Sequence, residues 1–144
     1  MTKSVFLRAG LAVLLPWITA ASARANIGED INQLRARYGA FQPVGAQALF
    51  QHEGYSICVY FDGEKSAMEV YTPISTDAGG APMDQDAIDK ILAWESDGLK
   101  WNPMPVSSGK ATWVRADAKI IARLNPSRGG KDDATVLVFM LNSK

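Results

Sequence analysis

The chain has 144 residues and balances fifteen Lys and Arg against fifteen Asp and Glu, with one cysteine and one histidine. A neutral chain without a basic stripe lacks the electrostatic footprint of a nucleic-acid binder. One cysteine cannot close an internal disulfide, and one histidine with one cysteine is too few for a zinc site of the usual kind.

The N-terminus is read first as an address. Lys3 and Arg8 precede an apolar stretch from Ala9 to Ala21 that Pro16 interrupts, and small residues follow at Ala23 and Ala25. Basic, apolar and small-x-small regions in that order predict a secretory signal peptide over 1–25, cleaved near Ala25. The apolar run is short of the roughly 20 residues a spanning helix needs, so no membrane span is expected after cleavage. The expected location is secreted or periplasmic. No cysteine follows the apolar region, so lipid attachment is not expected.

Residues 26–144 then read as one domain with one core. Ile27, Ile31, Leu34 and Tyr38 recur at helical spacing, with Glu29 and Asp30 at the start, Arg35 and Arg37 near the end and Gly39 as the stop. Three strands are expected next, near Ala46–Gln51, Tyr55–Phe61 and Glu64–Thr72. Asp62-Gly63 is the strongest hairpin signal, because a two-residue type I′ turn needs positive φ at both positions. That turn would set Phe61 against Glu64, Tyr60 against Lys65, Val59 against Ser66, Cys58 against Ala67, Ile57 against Met68 and Ser56 against Glu69. Tyr55, Ile57, Val59, Phe61, Met68 and Val70 would form a core face. Ser56, Cys58, Tyr60, Lys65, Ala67, Glu69 and Tyr71 would form a half-wet one.

Pro73 to Pro82 is a turn-rich linker. A second helix follows, with Asp84 as N-cap, Met83 and Ile88 as a hydrophobic staple, Ile88, Ile91, Leu92 and Trp94 on one side and Gly98 as the stop. The stretch "KWNPMPVSSG" reads as a proline-kinked loop, and "KATWVRADAKIIARLN" as a hairpin around Asp117-Ala118. The run "ATVLVFML" is apolar on both faces and is expected to be a central or covered strand. The expected fold class is α+β: two αβββ units, near 26–72 and 83–144, with one antiparallel sheet and helices packed on one face.

"INQLRARYGAFQP" followed by "ALFQHEGYSICVYFDGEKSAMEVY" resembles the helix–Gly–Pro and three-strand layout of SmpA/OmlA and β-lactamase-inhibitor-protein-like repeats. It also resembles small exported bacterial proteins of uncharacterised function. The residues that carry the likeness are Tyr38, Gly39, Pro43, Phe61 and Gly63. The resemblance implies a fold and no functional residue.

The chemistry searched for is thin. Asp84, Asp86 and Asp89 lack the glycine and terminal glutamate of an EF-hand, and acids in a first helical turn suit its dipole. Ser107 to Lys110 matches Ser-x-x-Lys without its companion motifs, and it lacks the first glycine of a phosphate loop. His52 beside Glu53 reads as a solvated turn residue. No catalytic residue, metal or cofactor is expected. Cys58 reads as a small packing residue or a point of intermolecular pairing. The leading function is an exported non-enzymatic module that binds another envelope or extracellular protein, as an inhibitor or an envelope factor. Its candidate surface is Ser56, Cys58, Tyr60, Lys65, Glu69, Tyr71 and Trp101. The alternatives are a carrier of a small apolar ligand and a thiol-dependent enzyme using Cys58.

Overall fold

The computed structural model describes residues 27–74, 83–105, 110–126 and 135–142. The expected signal peptide, most of the linker and Ser107 to Gly109 lie outside the described residues. Helix α1 is Ile31–Tyr38, followed by strands β1 (Phe41–Val44), β2 (Gln47–His52), β3 (Tyr55–Asp62) and β4 (Lys65–Pro73). Helix α2 is Gln85–Trp94, followed by β5 (Trp101–Pro103), β6 (Thr112–Arg115), β7 (Ile120–Asn125) and β8 (Val136–Leu141). No described helix is long and apolar enough to cross a membrane.

The strands make one antiparallel sheet in the order β1-β2-β3-β4-β8-β7-β6-β5. The expected fold class is therefore corrected. The described residues are 49% strand and 19% helix, a mainly-β fold rather than two αβββ units. The miscount has a physical cause. Pro43 and Pro103 made β1 and β5 read as loops, but both are edge strands, where a missing N–H breaks no ladder. The apolar last strand β8 lies at the middle, paired to β4 on one side and β7 on the other.

Local chemistry sets the helix limits. Asp30 Oδ1 accepts from the Asn32 and Gln33 N–H groups at 3.0 Å, and Gln33 Oε1 accepts from the Asp30 N–H, so a capping box starts α1. Gly39 ends it at φ 91°. Asp84 caps α2 by accepting from the Ala87 N–H at 2.8 Å. Leu34 and Tyr38 of α1 join Ile88, Ile91 and Leu92 of α2 in a core with Phe50, Ile57, Val59, Tyr71, Leu137 and Phe139. Both helices thus cover the same face of the sheet.

The register of the first long hairpin departs from expectation in two steps. The turn is Gly63-Glu64, with Asp62 against Lys65, and only Gly63 of that pair has positive φ. This is the glycine-first class of two-residue turn. Moving the turn by one position shifts pairing by two residues and changes no face. A bulge does the rest: Phe61 pairs with Ser66 but Tyr60 pairs with Met68, leaving Ala67 as the extra residue. One extra residue flips every side chain beyond it. Glu69 and Tyr71 therefore point into the core, and Met68 and Val70 point out, the reverse of the expected faces.

The second predicted hairpin forms between β6 and β7, and Ala118 takes φ 57° there. A left-handed alanine costs about 1 kcal/mol relative to glycine. Ala118→Gly is expected to stabilise the protein by about that amount, read as a higher midpoint in urea. An unchanged or lower midpoint would refute it.

Candidate functional site

The sheet face opposite the helices is the most distinctive surface. Cross-strand pairing aligns Tyr60, Met68, Met140, Ile121 and Val114 in one row across β3, β4, β8, β7 and β6. The adjacent row is Leu49, Cys58, Val70, Val138 and Arg123. Val138 is 7% exposed, Arg123 is exposed, and the others are half-buried. Neither described helix packs on these rows. A sheet ordinarily buries such a face against another layer. Gln42, Gln47, Gln51, Ser56, Thr72, Thr112 and Asn125 share the face and frame the rows with uncharged polar groups.

The structure divides the candidate residues read from sequence. Ser56, Cys58 and Tyr60 lie together on this outer face. The Cys58 thiol donates to Gln47 Oε1 at 3.2 Å, a neutral neighbour. Cys58 and Tyr60 are electrostatic neighbours, and Cys58, first by its charge when ionised, pushes the Tyr60 hydroxyl above its ordinary value. His52 faces the other way, with its ring 5.5 Å from those of Tyr38 and Trp94, so it is not a base for Cys58. This also corrects its reading as a solvated turn residue. Lys65 is exposed at the hairpin end and reaches Asp30 Oδ2 at 3.5 Å.

Glu69, Tyr71 and Trp101 do not belong to the outer face. Trp101 packs on the helix side: its indole N–H donates to the Leu92 carbonyl at 2.7 Å and its ring meets Phe139 edge-on at 5.7 Å. It pins β5 to the end of α2. Glu69 and Tyr71 are fully buried, which is a correction of their half-wet assignment and follows from the Ala67 bulge.

Their burial creates a polar cluster that strand alternation alone does not reveal. Tyr71 Oη donates to Glu95 Oε1 at 2.6 Å and lies 2.7 Å from Tyr38 Oη. Tyr38 Oη donates toward Glu69 Oε2 at 3.1 Å and toward Glu95 Oε1 at 3.3 Å. Glu69 and Glu95 are both 0% exposed and act on each other as hydrogen-bond neighbours. Burial raises the Glu69 carboxyl well above its ordinary value, and the Glu95 charge raises it further. Burial also raises Glu95, against the opposing pull of Tyr71 and Arg37. Glu69 Oε1 and Glu95 Oε2 accept no hydrogen bond from a neutral or cationic donor among the described residues. A proton held by this pair makes one carboxyl a donor and removes one of two like charges from the core. Arg37 does not neutralise the pair outright, because its guanidinium grips Glu29 with both terminal nitrogens. Arg115, 4% exposed, donates to the Glu95 carbonyl and to Asp117. The cluster is sealed from solvent and ties α1, β4 and the end of α2 together. The one sequence clue was two glutamates inside otherwise apolar stretches, "SAMEVY" and "LAWES".

No family model matches the chain, and no curated protein matches it. Among solved structures, a cysteine-rich secretory protein from Staphylococcus aureus subsp. aureus Mu50 is similar at 15% identity and a TM-score of 0.39. The match covers 79% of this chain and 44% of that one, so the chain spans less than half the length of that structure. A likeness at that level carries no argument about fold or function.

Proposed function

We propose that the chain is an exported, non-enzymatic protein that binds another protein through the outer face of its sheet. Export rests on the basic, apolar and small-x-small order of residues 1–25, and the mature protein is then secreted or periplasmic. Its partner is another exported or envelope protein, and its role that of an inhibitor or an envelope factor. The observation that carries the reading is the unbroken apolar row from Tyr60 to Val114 across five adjacent strands, framed by uncharged polar groups. Contiguous apolar surface rimmed by polar residues marks protein contact sites. Capture from an extracellular and envelope fraction tests it, with immobilised wild type against Tyr60→Glu. A glutamate at the end of the row is expected to lower capture of the bound species at least about tenfold, since a desolvated charge in an interface costs more than 1.4 kcal/mol. Equal capture by both proteins, with matching thermal melts, would remove the outer face from the reading.

A further inference from the structure

From the area and the charge of the outer face we infer that the protein seated on it is a second copy of this chain, packed sheet to sheet. The inference rests on the reading that this face is a docking surface, and it names the partner. Eight strands about 4.8 Å apart and about 18 Å long present a face of about 700 Å². That is close to the roughly 800 Å² each partner contributes to a stable protein–protein interface. Two such faces stacked about 10 Å apart form the double-layered β arrangement in which inner rows interdigitate.

Charge argues for a copy rather than a different protein. A two-fold interface sets a patch against itself, so any charge it carries is brought close to its own like. The two central rows hold a single charged side chain, the exposed Arg123 on β7, the strand beside β8. Tyr60 and Val114 end the longer row on either side of that centre, with Met68 and Met140 at it. The row is therefore apolar through the middle in either direction, which self-pairing requires. A partner of opposite charge would have Arg123 alone to recognise in these rows.

Sedimentation of the mature chain, after removal of the expected signal peptide, at concentrations well above micromolar tests this. The expected mass is twice that of one mature chain. Met140→Lys puts two ammonium groups at the centre of the pair and is expected to give a monomer that still melts cooperatively, at a midpoint that no longer depends on protein concentration. Met68→Lys, at the partner position of Met140 on the other central strand β4, is the second variant should Met140→Lys not fold, and it too is expected to be monomeric. A wild type that sediments as a monomer overturns the inference. So does a dimer that survives both folded variants, because the pairing then uses another surface. Cys58 labelling locates the cover in the monomer case: a monomer with a protected thiol assigns it to the chain's own residues. The docking reading fails separately, when Tyr60→Glu leaves capture unchanged. A monomeric wild type whose capture is lost in Tyr60→Glu retains the docking face and discards only the second copy.

Discussion

The stability of the wild-type protein is expected to fall as pH rises above the ordinary glutamate value, by about 1.4 kcal/mol per unit for each proton that the folded state retains and the unfolded chain releases. The direction follows from the Glu69–Glu95 pair. In the unfolded chain a glutamate titrates near 4.5, whereas burial raises Glu69 well above that and raises Glu95 in the same direction. A group whose folded value is raised gives its full stabilisation below the unfolded value. That contribution is then lost progressively until the pH passes the folded value. Glu29 moves the same way, with burial outweighing Arg37. Asp30 and Asp117 are held below the ordinary carboxylate value, by the Gln33 N–H and by Arg115 respectively. Their contribution is lost on the acid side, below the window in which that of the raised pair is lost.

Glu69→Gln isolates the cause. An amide is neutral at every pH and donates as the protonated carboxyl does, so the variant keeps Glu95 supplied with donors from Tyr38 and Tyr71. The expected result is near-wild-type stability at about pH 5, within about 1 kcal/mol, and a higher stability than wild type at about pH 9. Urea melts across that range check both. Parallel curves for the two proteins would place the pH dependence elsewhere and dismiss the shared proton.

The cluster shows what sequence reveals and what it conceals here. The limits of α1 and α2 were legible because Asp30, Gly39 and Asp84 act on the residues next to them. The existence of the β3–β4 hairpin was legible from Asp62-Gly63 for the same reason. Two short edge strands were not, because Pro43 and Pro103 are tolerated there only by virtue of their place in the finished sheet. The outer face was half legible: β3 follows plain alternation, so Ser56, Cys58 and Tyr60 stay together, while β4 does not. Glu95 meets Glu69 only once α2 is docked and Tyr71 has turned inward, and nothing within a few residues of either glutamate encodes that meeting. Non-local pairing of this kind leaves no periodicity to read.

Deletion of Ala67 is the sharpest test of that inversion, and it is expected to cost about 3–5 kcal/mol by either route open to the chain. If β4 slips to a regular ladder, Tyr71 and Glu69 leave the core and Met68 and Val70 enter it, the arrangement that plain alternation predicts. Losing a fully buried aromatic of this size has that cost, and Glu95 then remains buried without its Tyr71 donor. If β4 instead holds its place beyond the bulge, the missing residue is taken from the turn side. Ser66 then leaves its position, where its backbone and hydroxyl make four hydrogen bonds to Gly28 and Glu29. At about 1 kcal/mol each, that loss is of the same order. Ala67→Ser keeps the residue count and is expected to stay within about 1 kcal/mol of wild type, since Ala67 is half-buried and takes no part in the polar cluster. The two variants thus separate the count of residues from the identity of the side chain. A deletion protein that melts with the wild type would mean that the inward turn of Glu69 and Tyr71 does not depend on the bulge. Against a total domain stability of order 5–15 kcal/mol, a loss of about 3–5 kcal/mol is easy to measure.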